Sequence, residues 1–272
     1  MHVQLPWIAP TALATGVWIL YALDRLLDAN YKPASLLRER HLFHARYRGA
    51  FRAGIALALP IVLVTALRFS LPAVHRPMFL LALLVAAYLL AVHGLGQSAH
   101  YLLPKELAVG IIFAAATVIP VWVRTPHHTA LLMGGLLFAT LCWLNCTAIE
   151  HWESGAAGLA HASNSSMAGA IQRNSLLVSP MQQAHVTTRW AGKHLRATAA
   201  TLATISVVIA TCGAWHPDTM PTGLPMIGLA IAISAALLAV LDRKPSHLSP
   251  LALRIAADAA LLTPLLLLPF TR

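Results

Sequence analysis

In 272 residues the chain carries only 10% charged side chains against 58% hydrophobic ones, with a mean hydropathy of +0.70. Soluble domains hold roughly 25% charged residues, so this composition excludes a soluble enzyme or binding module and leaves an integral membrane protein. The formal charge of +10 does not signal nucleic-acid binding, because the basic residues gather in loops on one side of the membrane.

A membrane-spanning helix needs about 20 mostly apolar residues. Eight such runs are read at 5–27, 49–70, 77–97, 105–124, 129–150, 195–215, 221–241 and 250–270. They predict an all-α polytopic helix bundle forming one membrane domain over residues 1–272. Pro60, Pro120 and Pro264 fall inside spans, as membrane helices tolerate. No basic region precedes Leu5 and the first run ends in Asp24-Arg25, so the N-terminus reads as a span and not as a cleavable signal. The loops after odd-numbered spans hold fifteen Lys and Arg, and the other side only Arg68, Arg76, Arg124 and Arg272. This asymmetry puts both termini outside and the odd loops in the cytoplasm, as expected of a protein of the cell or inner membrane.

The first span ends in Tyr21-Ala22-Leu23-Asp24-Arg25-Leu26-Leu27-Asp28. Two aspartates four residues apart share a helix face. At the mouth of a lipid-embedded helix such a pair requires something cationic. Arg25, a magnesium ion or a phosphate-bound metal each meets that need, and a solvated helix end with a local Asp–Arg pair is an equal reading. Beyond it, His41 and His44 belong to a basic loop suited to anionic headgroups. Seven of the nine acids (Asp24, Asp28, Glu39, Glu106, Glu150, Glu153 and Asp242) sit at the same ends of the spans. Asp258 lies about two turns inside the last span from that side, as an i, i+4 pair with Arg254, and only Asp218 is opposite. The bias suggests a charge-lined chamber open to the cytoplasm.

The fifth span ends in Asn145-Cys146-Thr147-Ala148-Ile149-Glu150-His151-Trp152-Glu153. Asn145, Glu150 and Glu153 fall on one broad helical face, so a second acid-bearing helix end is expected on the side of the first. Trp152 reads as an interfacial aromatic, whereas an amide as deep as Asn145 needs a partner. Residues 154–190 form a long polar stretch, expected to be a lid or a disordered segment with Ala-rich parts able to form short interfacial helices. Cys142, Cys146 and Cys212 lack metal-site spacing and read as small buried hydrophobes.

Taken together, these stretches resemble the UbiA superfamily of intramembrane prenyltransferases. That family's first signature, NDxxDRxxD, is matched in its latter half by Asp24, Arg25 and Asp28, with Leu20-Tyr21 in place of its Asn-Asp pair. Its second, DxxxDxxxD, falls on Asn145, Ile149 and Glu153, with Glu150 beside the missing middle acid. A Tyr-x-x-x-Lys entry to a helix is seen as Tyr101-Leu102-Leu103-Pro104-Lys105, followed by Gly110. The order and sidedness of the motifs cover nearly the whole chain, with the family's first helix absent. The resemblance implies a UbiA-like fold and Mg²⁺ held by Asp24, Asp28, Asn145, Glu150 and Glu153. It implies Arg25 and Lys105 against diphosphate oxygens, and catalytic roles for Asp24, Asp28 and Tyr21, the last supporting a carbocation. The expected partners are an isoprenyl diphosphate, a lipophilic acceptor and the lipid bilayer, with no nucleic acid. Two alternatives are a non-catalytic scaffold derived from the same family and a transporter with an acidic cytoplasmic vestibule.

Overall fold

The computed structural model describes residues 8–31, 39–94, 104–167, 185–215, 223–243 and 248–263, with the side chains of 31, 39–41 and 156–167 left aside. Among the described residues every regular element is helical. In chain order these are α1 (Ile8–Tyr31), α2 (Glu39–Arg46), α3 (Arg48–Phe69), α4 (Pro72–Gly94) and α5 (Lys105–Trp122). There follow α6 (His128–Met167), α7 (Val186–Lys193), α8 (Leu195–Trp215), α9 (Gly223–Leu241) and α10 (Pro250–Ala260). Six are long and apolar enough to cross a membrane: α3, α4, α5, α6 over His128–Gly155, α8 and α9. They fall on the six inner spans read from hydropathy. The first span is also a helix, α1, but Thr11, Thr15 and the charged Asp24, Arg25 and Asp28 dilute its apolar run. Of the eighth, α10 covers 11 residues and positions 264–270 lie outside the described residues, as do Tyr101, Leu102 and Leu103.

The chain divides into two compact units, residues 1–99 with 115–126 and residues 100–114 with 127–272. In the first, α1 turns Ile19, Ala22 and Leu26 inward at helical spacing and α4 turns in Val74, Val85 and Val92. Helix α3 buries no residue at all; Leu57, Leu63, Val64 and Leu67 are exposed on it. Such an apolar surface is what a bilayer solvates, since lipid tails are as apolar as leucine. Trp18 of α1 lies over Gly54 of α3, where an added Cβ would stand 3.0 Å from the indole Cη2. The basic loop after the first span is not bare coil: it contains α2, anchored by rings. His44 stacks on Phe51 at 4.3 Å between centroids and meets Tyr21 edge-on at 5.8 Å, while Phe43 packs against Tyr47 at 5.0 Å. His44 is buried, so it belongs to this cluster rather than to the headgroups; the side chain of His41 lies outside the described residues.

The second unit is built on α6. Leu137, Leu141, Leu144, Ala148 and Trp152 repeat every three or four residues and form one core with Leu195, Leu202, Ile231, Ala235, Leu238, Leu253 and Ala257. Small residues let backbones approach, the usual basis of helix association in lipid. A Cβ on Gly110 of α5 would stand 2.6 Å from the carbonyl oxygen of Ala139 on α6, and one on Gly228 of α9 would stand 2.8 Å from that of Ser206 on α8. Ser234 of α9 donates to the carbonyl of Ala260 at 2.7 Å, tying down the end of α10.

Three expectations are corrected here. Helix α6 does not stop near residue 150 but runs 40 residues to Met167, so the start of the polar 154–190 stretch is helix; residues 168–184 lie outside the described residues. Trp152 is not interfacial: it is 6% exposed and donates from Nε1 to Asp242 Oδ1 at 2.9 Å. Of the cysteines only Cys142 is buried, whereas Cys146 is half-buried and Cys212 exposed, since Cys212 faces out from an apolar helix.

Candidate functional site

Helices α1, α3 and α4 run up, down and up, so the C-terminal ends of α1 and α4 return to the same end of the first unit. This brings together the last turns of α1, with Asp24, Arg25 and Asp28, and the last turn of α4, with His93. One ligand atom from each of Asp24, Asp28 and His93 lies within 4.8 Å of the other two. The Arg25 guanidinium stands 3.6 Å from Asp24 Oδ2 and 3.5 Å from Asp28 Oδ2. His93 Nε2 stands 3.5 Å from Asp28 Oδ1, and both side chains are nearly sealed from solvent. The other ring nitrogen, Nδ1, lies 2.9 Å from the backbone carbonyl of Leu89. A carbonyl only accepts, so Nδ1 carries the proton and Nε2 faces the carboxylates.

The charges define what this group can do. Asp24, Asp28 and Arg25 together carry a net −1, and Asp28 is only 3% exposed. Burying a carboxylate costs several kcal/mol unless positive charge compensates it, and Arg25 supplies part of that compensation. Hard carboxylate oxygens fit magnesium, which completes its shell with water or phosphate oxygens. An imidazole nitrogen in the same set fits it less well and suits first-row transition ions. Donors about 2.1 Å from a shared ion lie about 3.0 Å apart when cis and about 4.2 Å when trans, so closing the observed spacing takes between about half an ångström and about 2 Å.

Tyr21 adjoins this group. Its ring carries the Arg25 guanidinium 4.9 Å from its centroid, a cation–π contact that holds the arginine over its own helix.

The other residues named from the sequence belong to the second unit. Asn145 is 3% exposed and donates from Nδ2 to Asp258 Oδ1 at 3.5 Å. Arg254 reaches Glu153 Oε1 and Asp258 Oδ2, each at 3.9 Å. Asn145 and Glu153 thus meet a polar group from α10, in which the expected Arg254–Asp258 pair takes part. Glu150 accepts from Ser154 Oγ at 3.1 Å. Both acids lie within a continuous helix, not at its end. Lys105 opens α5, and its neighbour Glu106 accepts from Thr188 Oγ1 at 2.9 Å. Asp242 is no idle acid, since beyond Trp152 it pairs with Arg196 at 3.4 Å.

His93 escaped the sequence reading, although the signal was there. Alternating spans return the end of span 77–97 to the side on which span 5–27 ends, and His93 is a metal-competent side chain at that depth.

Compared with models of protein families, with curated proteins and with solved structures, the chain matches none of them.

Proposed function

We propose that the chain is an intramembrane transferase of UbiA-like fold, with eight spans, that moves a prenyl group from an isoprenyl diphosphate to a lipophilic acceptor. The observation that carries this reading is the Asp24–Arg25–Asp28–His93 group at one end of apolar helices. An acid pair, a guanidinium and an imidazole at a lipid boundary suit a ligand with a charged head and a greasy tail. On the charge asymmetry of the loops this end faces the cytoplasm.

A divalent ion, magnesium on the family resemblance, would supply positive charge to a diphosphate leaving group. Asp24 and Asp28 would hold that ion. Arg25 reaches across both and neutralises diphosphate oxygens, and Lys105 is the second candidate for that task. Tyr21 steadies Arg25 and is the candidate for supporting positive charge on the allylic carbon. Apolar helix faces keep water from that carbon. Asn145, Glu150 and Glu153 are the proposed second carboxylate set.

The test is thermal unfolding in detergent with a panel of prenyl diphosphates, with and without Mg²⁺. Ligand at about 100 times its Kd adds about 2.7 kcal/mol, a rise of roughly 5–10 °C for a chain of this size. The rise should require both components and vanish in Asp24→Asn and Asp28→Asn. A folded protein that responds to no donor would sink the reading.

One observation favours the non-catalytic alternative. Arg254 already engages Glu153, and Asp258 already engages Asn145, so the second set is partly neutralised from within. Donor binding without turnover would point that way.

A further inference from the structure

We infer that His93 is a metal ligand, and that with Asp24 and Asp28 it makes a three-donor site selecting a first-row transition ion, Mn²⁺ above all, over Mg²⁺. The inference rests on the reading of Asp24 and Asp28 as metal-holding and adds a residue and a selectivity to it.

Three features of His93 lead there. One of its ring nitrogens is within 4.8 Å of carboxylate oxygens from both aspartates, and Nε2 is the one that faces Asp28. Its Nδ1 is tied to the Leu89 carbonyl at 2.9 Å, the outer hydrogen bond that fixes the tautomer and aim of a ligating histidine. Its Nε2 stands 3.5 Å from Asp28 Oδ1, well beyond the roughly 2.7–2.9 Å of a charge-assisted hydrogen bond. That gap leaves room for closure around an ion. Two carboxylates and one imidazole give a mixed O and N donor set. Nitrogen donors raise affinity along the series from Mn²⁺ towards Cu²⁺, whereas Mg²⁺ gains little from them. A dication adds two positive charges to the group, which favours an anionic ligand beside it. Arg25, at 3.5–3.6 Å from both carboxylates, is the resident competitor, so its removal should strengthen metal binding.

The experiment needs no substrate. Untagged protein in detergent is titrated with Mn²⁺ and the free ion followed by electron paramagnetic resonance, with Mg²⁺ as competitor. Wild type should bind Mn²⁺ in preference to Mg²⁺. His93→Gln should weaken Mn²⁺ by at least about tenfold, the scale on which even outer-shell partners act, and Mg²⁺ much less; Arg25→Gln should tighten both. Pulsed measurement on the wild-type Mn²⁺ complex should show coupling to an imidazole nitrogen, a readout that needs no variant to fold. Absence of that coupling, or Mn²⁺ affinity undiminished in His93→Gln, would overturn the inference. Mn²⁺ bound through His93 without any response to prenyl diphosphates would uphold the metal site and refute the transferase.

Discussion

Placing a methyl group on Gly110 should force two tightly apposed helix segments apart. The new Cβ would stand 2.6 Å from the Ala139 carbonyl oxygen, 3.1 Å from the Trp143 nitrogen and 3.3 Å from the Trp143 Cβ. These are backbone and near-backbone atoms that no rotamer change can remove, so relief requires shifting α5 against α6 by the better part of an ångström. Overpacking costs about 1–3 kcal/mol, and a contact this short against backbone takes the upper part of that range, about 2–3 kcal/mol. Replacing a helical glycine returns up to about 1 kcal/mol of propensity, leaving a net loss of roughly 1–2 kcal/mol. Gly16, inside α1, has nothing within 4 Å of its Cβ position, so Gly16→Ala collects the propensity gain alone. The two variants should therefore move the melting temperature in opposite directions. At roughly 2–4 °C per kcal/mol, Gly110→Ala should fall by about 2–8 °C and Gly16→Ala should hold or rise. Intrinsic fluorescence in detergent reads both, with Trp143 as a reporter at the contact. Equal responses at the two sites would refute the close crossing.

Other consequences can be checked in the same assay. Trp152→Phe and Asp242→Ala should each lose about 1.5–3 kcal/mol, the worth of a hydrogen bond to a charged acceptor, and the double variant little more than either, whereas Arg196→Gln, whose side chain is 65% exposed, should cost under about 1 kcal/mol. Ser234→Ala should cost about 0.6 kcal/mol, the average for such bonds in membranes, by leaving the Ala260 carbonyl with Thr263 Oγ1 as its remaining side-chain donor. Arg254→Met should destabilise the second unit by leaving Glu153 without its guanidinium, and adding Glu153→Gln should restore part of the loss; no restoration would mean that the 3.9 Å contact is incidental.

The helices of this protein are legible in its sequence because lipid leaves the backbone no partners but its own. A run of twenty apolar residues therefore declares its structure, as α3, α4, α8 and α9 do. Hydropathy marks where a bilayer ends and not where a helix ends, which is why the extension of α6 past Glu150 was hidden. Its continuation through Ala156, Ala157 and Ala160 follows the strong helix propensity of alanine. Aspartates in an apolar run announced the site, since charges there are rare. His93 did not, because one histidine near a span's end carries no periodicity and only the return of α4 beside α1 gives it meaning. The burial of Trp152 was equally unreadable: an indole at a span boundary looks interfacial until Asp242, ninety residues away, supplies its acceptor.

The length of α6 separates the two acid sets electrostatically. A helix gathers about half a negative charge at its C-terminal end, where the last carbonyls lack partners, and this potential fades within a turn. Asp28 and His93 sit in the final turns of α1 and α4, where two such ends add their field to the carboxylates and draw a cation in. Glu150 and Glu153 lie several turns before Met167, among carbonyls already bonded along the helix, and receive no such help. Attraction for positive charge is therefore a property of helix endings in the first unit. In the second, Glu150 and Glu153 lack that field, and Glu153 relies on Arg254 alone of the two sources, whereas Asp24 and Asp28 have both the helix ends and Arg25.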